Sequence, residues 1–208
     1  MLFESAFGAL RDPKRADLVS TCGDLSGTRA LREIYGKMIN DKEGRLILKE
    51  KPRLNLDSIN FDSFEEYPKN SFGYHYWSFM KKYEFSPNER PKVKYIPDIE
   101  LAYIMQRYKE CHDMLHVLNN LDVEVESEIA VKWFEMIQTG IPMTALASLV
   151  GPLRLGFGPN QKLMFTLLPL VLRNAYRSRF FMNIYFEKYF EKDIDQFRDE
   201  IGIVPYKS

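Results

Sequence analysis

The 208-residue chain is long enough to bury a sizeable core in one domain and gives no sign of a second. Lys plus Arg and Asp plus Glu both count 29, and the resulting net charge of zero weighs against nucleic acid as a partner. Two cysteines, Cys22 and Cys111, are too few for a disulfide framework, and no run of eighteen apolar residues is available to cross a bilayer as a helix.

The opening MLFESAFGALRDPKRADL has neither the hydrophobic core of a signal peptide nor the Arg- and Ser-rich, acid-poor character of a mitochondrial presequence. Asp12-Pro13 reads as a cap followed by proline at the first helical position, so a helix is expected from there to about Gly23. Thr28 begins a second helix, in which Leu31, Ile34, Tyr35 and Met38 keep the 3.6-residue period. A short helix carrying Leu46, Ile47 and Leu48 must end before Pro52, because the residue ahead of a proline is driven out of the helical region. Residues 52–70 are polar and irregular and are expected to wrap the surface. Gly73 to Phe85 is aromatic-rich and reads as a helix closed by the turn Ser86-Pro87-Asn88. His75, set among Tyr74, Tyr76 and Trp77, is most simply a packed or hydrogen-bonded aromatic neighbour. Lys92 to Ile96 is the one short stretch with strand-like alternation.

Asp98 to Gln138 organises the chain. Within ELAYIMQRYKECHDMLHVL, Leu101, Met105, Tyr108 and Leu115 recur at helical spacing, and His112 and His116, four apart, project from the same apolar side. A buried polar group without a partner costs about 1–3 kcal/mol, so something must hold both imidazoles. Asn119-Asn120-Leu121-Asp122 lets the chain reverse, and VEVESEIAVKWFEMIQ reads as a second helix, antiparallel to the first because the connection is short. His116 and Glu128 each lie within about two turns of the reversal and can face one another. His112, Asp113, His116 and Glu128 then form a nitrogen and oxygen set suited to a divalent first-row metal, with zinc the first choice. Histidines four apart also occur as packed, hydrogen-bonded pairs. The inward face, the adjoining acid and the second carboxylate favour a metal over that simpler reading. Cys111 points about 100° away from His112 around the helix, which suits packing better than ligation. Glu135, two helical turns beyond Glu128, falls on the same face as that residue.

From Met136 to Phe186 there is neither aspartate nor glutamate, whereas Arg154, Lys162, Arg173, Arg177 and Arg179 are all cationic. Residues 163–172 form an apolar run broken only by Thr166 and Pro169. The pattern reads as a membrane-surface element, its apolar side chains entering the interface and its basic residues meeting anionic head groups at about 1 kcal/mol each. A buried core helix, or a homodimer contact ending in a solvated basic turn, would carry the same pattern; the absence of acid favours lipid. In the acidic tail, Phe190, Ile194, Phe197 and Ile201 are spaced to dock a last helix on the body. The expected fold class is all-α, a single-domain multi-helix bundle over residues 1–208 with a metal-binding helical hairpin.

These residues resemble a known family. HDMLH from His112, with Glu128 twelve residues beyond the second histidine, is similar to the HDxxHxxxG signature and following glutamate of the ubiquinone (coenzyme Q) biosynthesis proteins called Coq4. The likeness extends over SPNERPKVKYIPDIELAYIMQRYKECHD from Ser86, VKWFEMIQTGIPM from Val131, Gly151-Pro152-Leu153-Arg154-Leu155, and LRDPKRADLVSTCGDLSGTRAL upstream, covering nearly the whole chain from Phe3 to Ile203. Asn120 stands where the family usually has glycine, and asparagine tolerates the left-handed backbone such a glycine supplies.

The resemblance implies a carbon–carbon lyase that removes the ring C1 carboxylate from polyprenylated 4-hydroxybenzoate intermediates of coenzyme Q synthesis, with oxidative replacement by hydroxyl also attributed to the family. His112, Asp113, His116 and Glu128 would be its catalytic and metal-binding residues. It also implies binding of a polyprenylated benzoate or quinone lipid and association with other coenzyme Q enzymes, peripherally at the matrix side of the mitochondrial inner membrane. A presequence would then be cleaved from, or absent from, this chain. Zinc suits a non-redox decarboxylation; an oxidative step calls for iron as Fe2+, or for electrons passing from the aromatic substrate to oxygen. The competing reading is a non-enzymatic, lipid-binding scaffold that gathers the pathway enzymes, its metal only pinning two helices. A closed site of four protein ligands would favour the scaffold, and an open one catalysis.

Overall fold

The computed structural model describes residues 27–207, and among them all regular structure is helical. The helix expected from Asp12 to Gly23 lies outside the described residues. Helices α1 (Thr28–Ile39) and α2 (Lys42–Glu50) form an opening hairpin, with Ala30, Leu31, Ile34 and Met38 buried along α1. Asp41 caps α2 by accepting from the Glu43 and Gly44 backbone N–H groups. Gly44 is required here by space: a Cβ would stand 2.4 Å from the Met38 carbonyl oxygen. The irregular segment that follows holds a 3₁₀ turn, Phe61–Glu66, whose Phe61 and Phe64 enter the core. Helix α3 (Phe72–Lys82) is capped by Ser71 and stacks Phe72 on Phe190, ring centroids 5.7 Å apart.

The strand-like stretch Lys92 to Ile96 is not a strand. It has no partner strand, and the Val93 N–H donates instead to Gln106 Oε1 at 3.0 Å. The only β-type pairing among the described residues is an isolated bridge between Ser71 and Asp193.

Helix α4 (Ile99–Asn119) is the axis of the fold, and every residue from Tyr103 to Asn119 is buried. A helix enclosed on all sides carries no amphipathic stripe, so its polar side chains must each meet a partner within the protein. Arg107, with no side-chain exposure, is met by Glu187 at 2.8 Å and by the Ile184 carbonyl at 3.1 Å. Glu110 accepts from Arg53 Nε at 2.9 Å and from the Leu54 N–H at 3.1 Å. At its C-terminus the carbonyls that no helical N–H can reach are met by Arg198, which donates to Val117 O at 2.8 Å and Leu118 O at 2.9 Å.

Asn120 ends α4 in the left-handed region at φ 53°, and the Leu121 N–H closes back on His116 O at 2.9 Å. Glycine at this position is expected to change stability by less than about 1 kcal/mol. It relieves the left-handed cost of a side chain but gives up the exposed Asn120 Nδ2 donation to Tyr206 O at 2.8 Å, two small terms of opposite sign. Thermal unfolding of Asn120→Gly checks this, and loss of metal binding in the variant would assign the asparagine a part in the site.

Helix α5 (Val125–Thr139) runs back along α4 and ends at Gly140, φ 67°. Beyond it come α6 (Pro142–Val150), a 3₁₀ turn (Gly151–Arg154), and one long rod made of α7 (Phe157–Lys162), a π-helical turn (Leu163–Leu167) and α8 (Leu168–Arg177). The widened turn has a local cause: Pro169 lacks an N–H, and its ring would clash with the carbonyl of residue 165, so the chain loosens there. Two 3₁₀ turns lead to α9 (Ile194–Ile201), capped by Asp193; Phe190, Ile194, Phe197 and Ile201 dock it as their spacing requires. No helix among the described residues is long and apolar enough to cross a membrane.

Candidate metal centre

Helix geometry sets His112 and His116 one above the other on α4, and the α4–α5 reversal brings Glu128, in the first turn of α5, opposite them. His112 Nε2 and His116 Nε2 are 3.3 Å apart; Glu128 Oε2 lies 3.3 Å from the first and Oε1 3.3 Å from the second. Among the described residues, these three form the one cluster of ligand-type side chains close enough to share an ion. Both histidines are buried, and Glu128 keeps 39% of its side chain exposed.

The outer edges of the rings determine which nitrogen faces inward. His116 Nδ1 lies 2.9 Å from the Asp122 carbonyl and 3.3 Å from that of Leu121, and a carbonyl only accepts, so Nδ1 carries the proton. His112 Nδ1 lies 2.6 Å from Glu135 Oε1 and donates to that carboxylate for the same reason. In its neutral form each ring turns an Nε2 lone pair toward the other and toward a carboxylate. Three electron-rich atoms then converge without a donor, and a shared cation, or a proton on one imidazole, relieves their repulsion. The size of the cluster suits the cation: bonds of about 2.0–2.1 Å at tetrahedral angles put ligand atoms about 3.3 Å apart. Two imidazoles and one carboxylate are also the donor set that zinc and neighbouring divalent metals accept.

With no ion in place, the electrostatics draw positive charge onto the imidazoles. Desolvation pushes the Glu128 carboxyl up, but the facing imidazoles His116 and His112 hold it well below the usual carboxylate range. Burial and nearby Lys132 work against a charged His112, yet the carboxylates of Glu135 and Glu128 outweigh both and raise it. Glu135, fully buried, is held down at about 2 against its own desolvation by Lys132 and His112.

Asp113, expected among the ligands, is turned elsewhere. It lies on the next face of α4 and pairs with both Nη2 and Nε of Arg90. Asp113→Asn is therefore expected to keep its metal while losing about 1–3 kcal/mol of stability. The loss is bounded because Arg90, left without its counter-ion, still has 31% of its side chain in contact with water. Metal lost from a folded Asp113→Asn variant would return the residue to the ligand set. Cys111 is buried and packed, its thiol pushed up to about 12 by that burial. His75 is exposed rather than packed, its ring edge-on to Tyr74, because α3 buries the face carrying Phe72, Tyr76 and Met80. The sequence did not single out Arg90, Lys132 or the bond from Tyr108 Oη to Glu135 Oε2 at 2.6 Å. The available signal was spacing: Tyr108 lies one turn before His112, and Lys132 and Glu135 follow Glu128 on one face of α5.

The five basic residues of the acid-free stretch divide into two groups. Lys162 pairs with Glu124 at 2.7 Å and Glu126 at 3.3 Å, and Arg179 with Glu43 at 2.8 Å and Asp41 at 3.4 Å, so acids from elsewhere neutralise them. Arg154, Arg173 and Arg177 are exposed. Near them in the chain stand Leu153, Phe157, Phe165 and Tyr176, each 77–83% exposed. A cleft of about 330 Å³ opens beside the centre, bordered by His116, Phe79, Leu121, Lys82, Tyr83 and Lys162.

Fold and centre together define a protein, helical throughout its described residues, whose axial hairpin carries a two-histidine, one-glutamate cluster able to hold a metal ion. The chain belongs to the Coq4 family: the model for "Coenzyme Q (ubiquinone) biosynthesis protein Coq4" matches residues 1–207. It is 41% identical over 96% of its length to the mitochondrial ubiquinone biosynthesis protein COQ4 homolog of Aedes aegypti, covering 73% of that protein. The corresponding Paramecium tetraurelia homolog 2 is 45% identical over 89% of this chain and 88% of its own. The human homolog is 38% identical over 96% of this chain. A crystal structure of a protein from Nostoc punctiforme shares the fold, with a TM-score of 0.75 over 97% of this chain and 96% of that one at 17% identity.

Proposed function

We propose that this ubiquinone biosynthesis protein is a metal-dependent lyase that removes the C1 carboxylate from a polyprenylated 4-hydroxybenzoate intermediate, working peripherally at the matrix side of the mitochondrial inner membrane. The observation that carries the catalytic reading is the ligand count. Three protein atoms converge at tetrahedral spacing and Asp113 is withheld by Arg90, which leaves a fourth position for water or substrate; structural sites fill all four with protein. His112, His116 and Glu128 would hold a divalent cation, which would supply Lewis acidity for the charge that builds on the carboxylate or ring oxygen as carbon dioxide departs. His112 and His116 would bind it through Nε2, their Nδ1 protons tied down so that neither ring can rotate away. Glu128 provides the one exposed ligand, so substrate approaches from its side. The cleft bordering His116 gives room for an aromatic head group. Location is supported by the mitochondrial names of the relatives and by the exposed aromatic and arginine side chains of residues 153–177, which suit an anionic bilayer holding a prenyl tail.

The test is direct. Purified protein is incubated with zinc or ferrous ion and a short-chain prenylated hydroxybenzoate, with and without oxygen, and loss of the carboxyl group is followed. Decarboxylation that needs the metal supports the lyase. Tight binding of the lipid with no turnover under any of these conditions supports instead the scaffold that gathers other coenzyme Q enzymes.

A further inference from the structure

We propose that Glu135 is the positioning residue of the metal centre: braced by Tyr108 and Lys132, it holds the Nδ1 proton of His112 and so keeps the Nε2 of that ring turned to His116 and Glu128. The inference rests on the metal reading but not on the lyase reading.

Glu135 has no exposed side-chain surface and touches none of the three inner ligand atoms, so a merely solvating role is excluded. Its two oxygens are divided. Oε1 takes His112 Nδ1 at 2.6 Å, while Oε2 takes Tyr108 Oη at 2.6 Å and Lys132 Nζ at 2.8 Å. Tyr108 and His112 stand one turn apart on α4, and Lys132 and Glu135 one turn apart on α5, so the four side chains tie the two helices together on the side of His112 away from the ligand cluster. Among the described residues no other acceptor orients His112 from behind: His116 is set by backbone carbonyls, whereas His112 has only this carboxylate, since Lys132 Nζ at 3.1 Å is itself a donor and cannot receive the Nδ1 proton. A ring with an anion at Nδ1 is also a stronger donor through Nε2, and outer partners of this kind are worth about 10–100-fold in metal affinity.

The experiment compares zinc affinity, by competition with a chromophoric chelator, and the visible spectrum of the cobalt-loaded protein, in wild type, Glu135→Leu, Glu135→Gln, Tyr108→Phe and Glu187→Ala. Glu135→Leu is expected to lose about 10–100-fold in zinc affinity with an altered cobalt spectrum. Glu135→Gln still offers an oxygen to Nδ1–H and recovers part of that loss, and Tyr108→Phe gives a smaller loss that disappears in the Glu135→Leu background, as coupled residues require. Glu187→Ala, which strands buried Arg107 away from the centre, lowers stability and leaves the cobalt spectrum unchanged. Equal zinc affinity and spectrum across the Glu135 variants, or losses that follow stability alone, overturn the assignment while the metal centre stands. Absence of zinc binding by wild type overturns both.

Discussion

Glu128→Ala is expected to lower the bound metal from close to one per chain to less than about a tenth under dialysis. Glu128 is the ligand to remove because its side chain is part exposed, so water can take its place beside the two buried imidazoles. His112→Ala should also empty the site, but it deprives buried Glu135 of its imidazole and mixes metal loss with instability. The affinity lost should exceed the roughly 10–100-fold that an outer partner carries. A second readout follows from mass action. Zinc at about a hundred times its dissociation constant stabilises the wild-type fold by about 2.7 kcal/mol, which for a domain of this size raises the melting temperature by about 5–10 °C. Glu128→Ala should lose most of that shift. Equal metal content and equal zinc-dependent melting in wild type and variant would remove the centre from the account altogether.

The parts of this centre that depend on short-range spacing were legible in the chain. Four residues put the imidazoles on one helical face, and a short reversal places Glu128 across from them. Adjacency to His112 suggests Asp113 as a ligand, whereas the structure turns it to Arg90. The rotation of about 100° per residue that separates Cys111 from the ligands separates Asp113 as well, so standing next to His112 in sequence does not place a side chain beside it in space. What no spacing could show is the set of partners drawn from distant sequence: Arg90 for Asp113, Arg53 for Glu110, Glu187 for Arg107. Helix α4 demands all of them because it is buried on every side, yet its pattern reads only as one apolar stripe. The charge segregation of residues 136–186 misled in the same way. An acid-free stretch of sequence is not an acid-free surface once Glu124, Glu126, Asp41 and Glu43 have folded against Lys162 and Arg179. Lys92 to Ile96 shows the converse: alternation makes a strand only where another strand is present to receive its hydrogen bonds.

Replacing Arg154, Arg173 and Arg177 together by glutamate is expected to abolish flotation with liposomes that contain cardiolipin. Three arginines meeting anionic head groups at about 1 kcal/mol each contribute roughly a hundredfold in partitioning, and reversing the charge adds repulsion to that loss. Arg179 is left out of the variant, since its ion pairs with Asp41 and Glu43 hold the α1–α2 hairpin and a glutamate there would disturb the fold. The apolar half of the contact is separable: Phe157→Ser with Phe165→Ser should weaken binding at every salt concentration, both rings being exposed before any lipid arrives. Binding by the wild type should fade as the Debye length falls from about 10 Å at 0.1 M salt to about 3 Å at 1 M. A second copy of the chain is the rival occupant of this surface, but a two-fold contact brings the same acid-poor patch to both sides and so offers these arginines few counter-ions, which a bilayer of anionic lipid supplies. Flotation that ignores both salt and the arginine substitutions, with sedimentation showing a dimer that the Phe157 and Phe165 variants dissociate, would give the surface to the second copy.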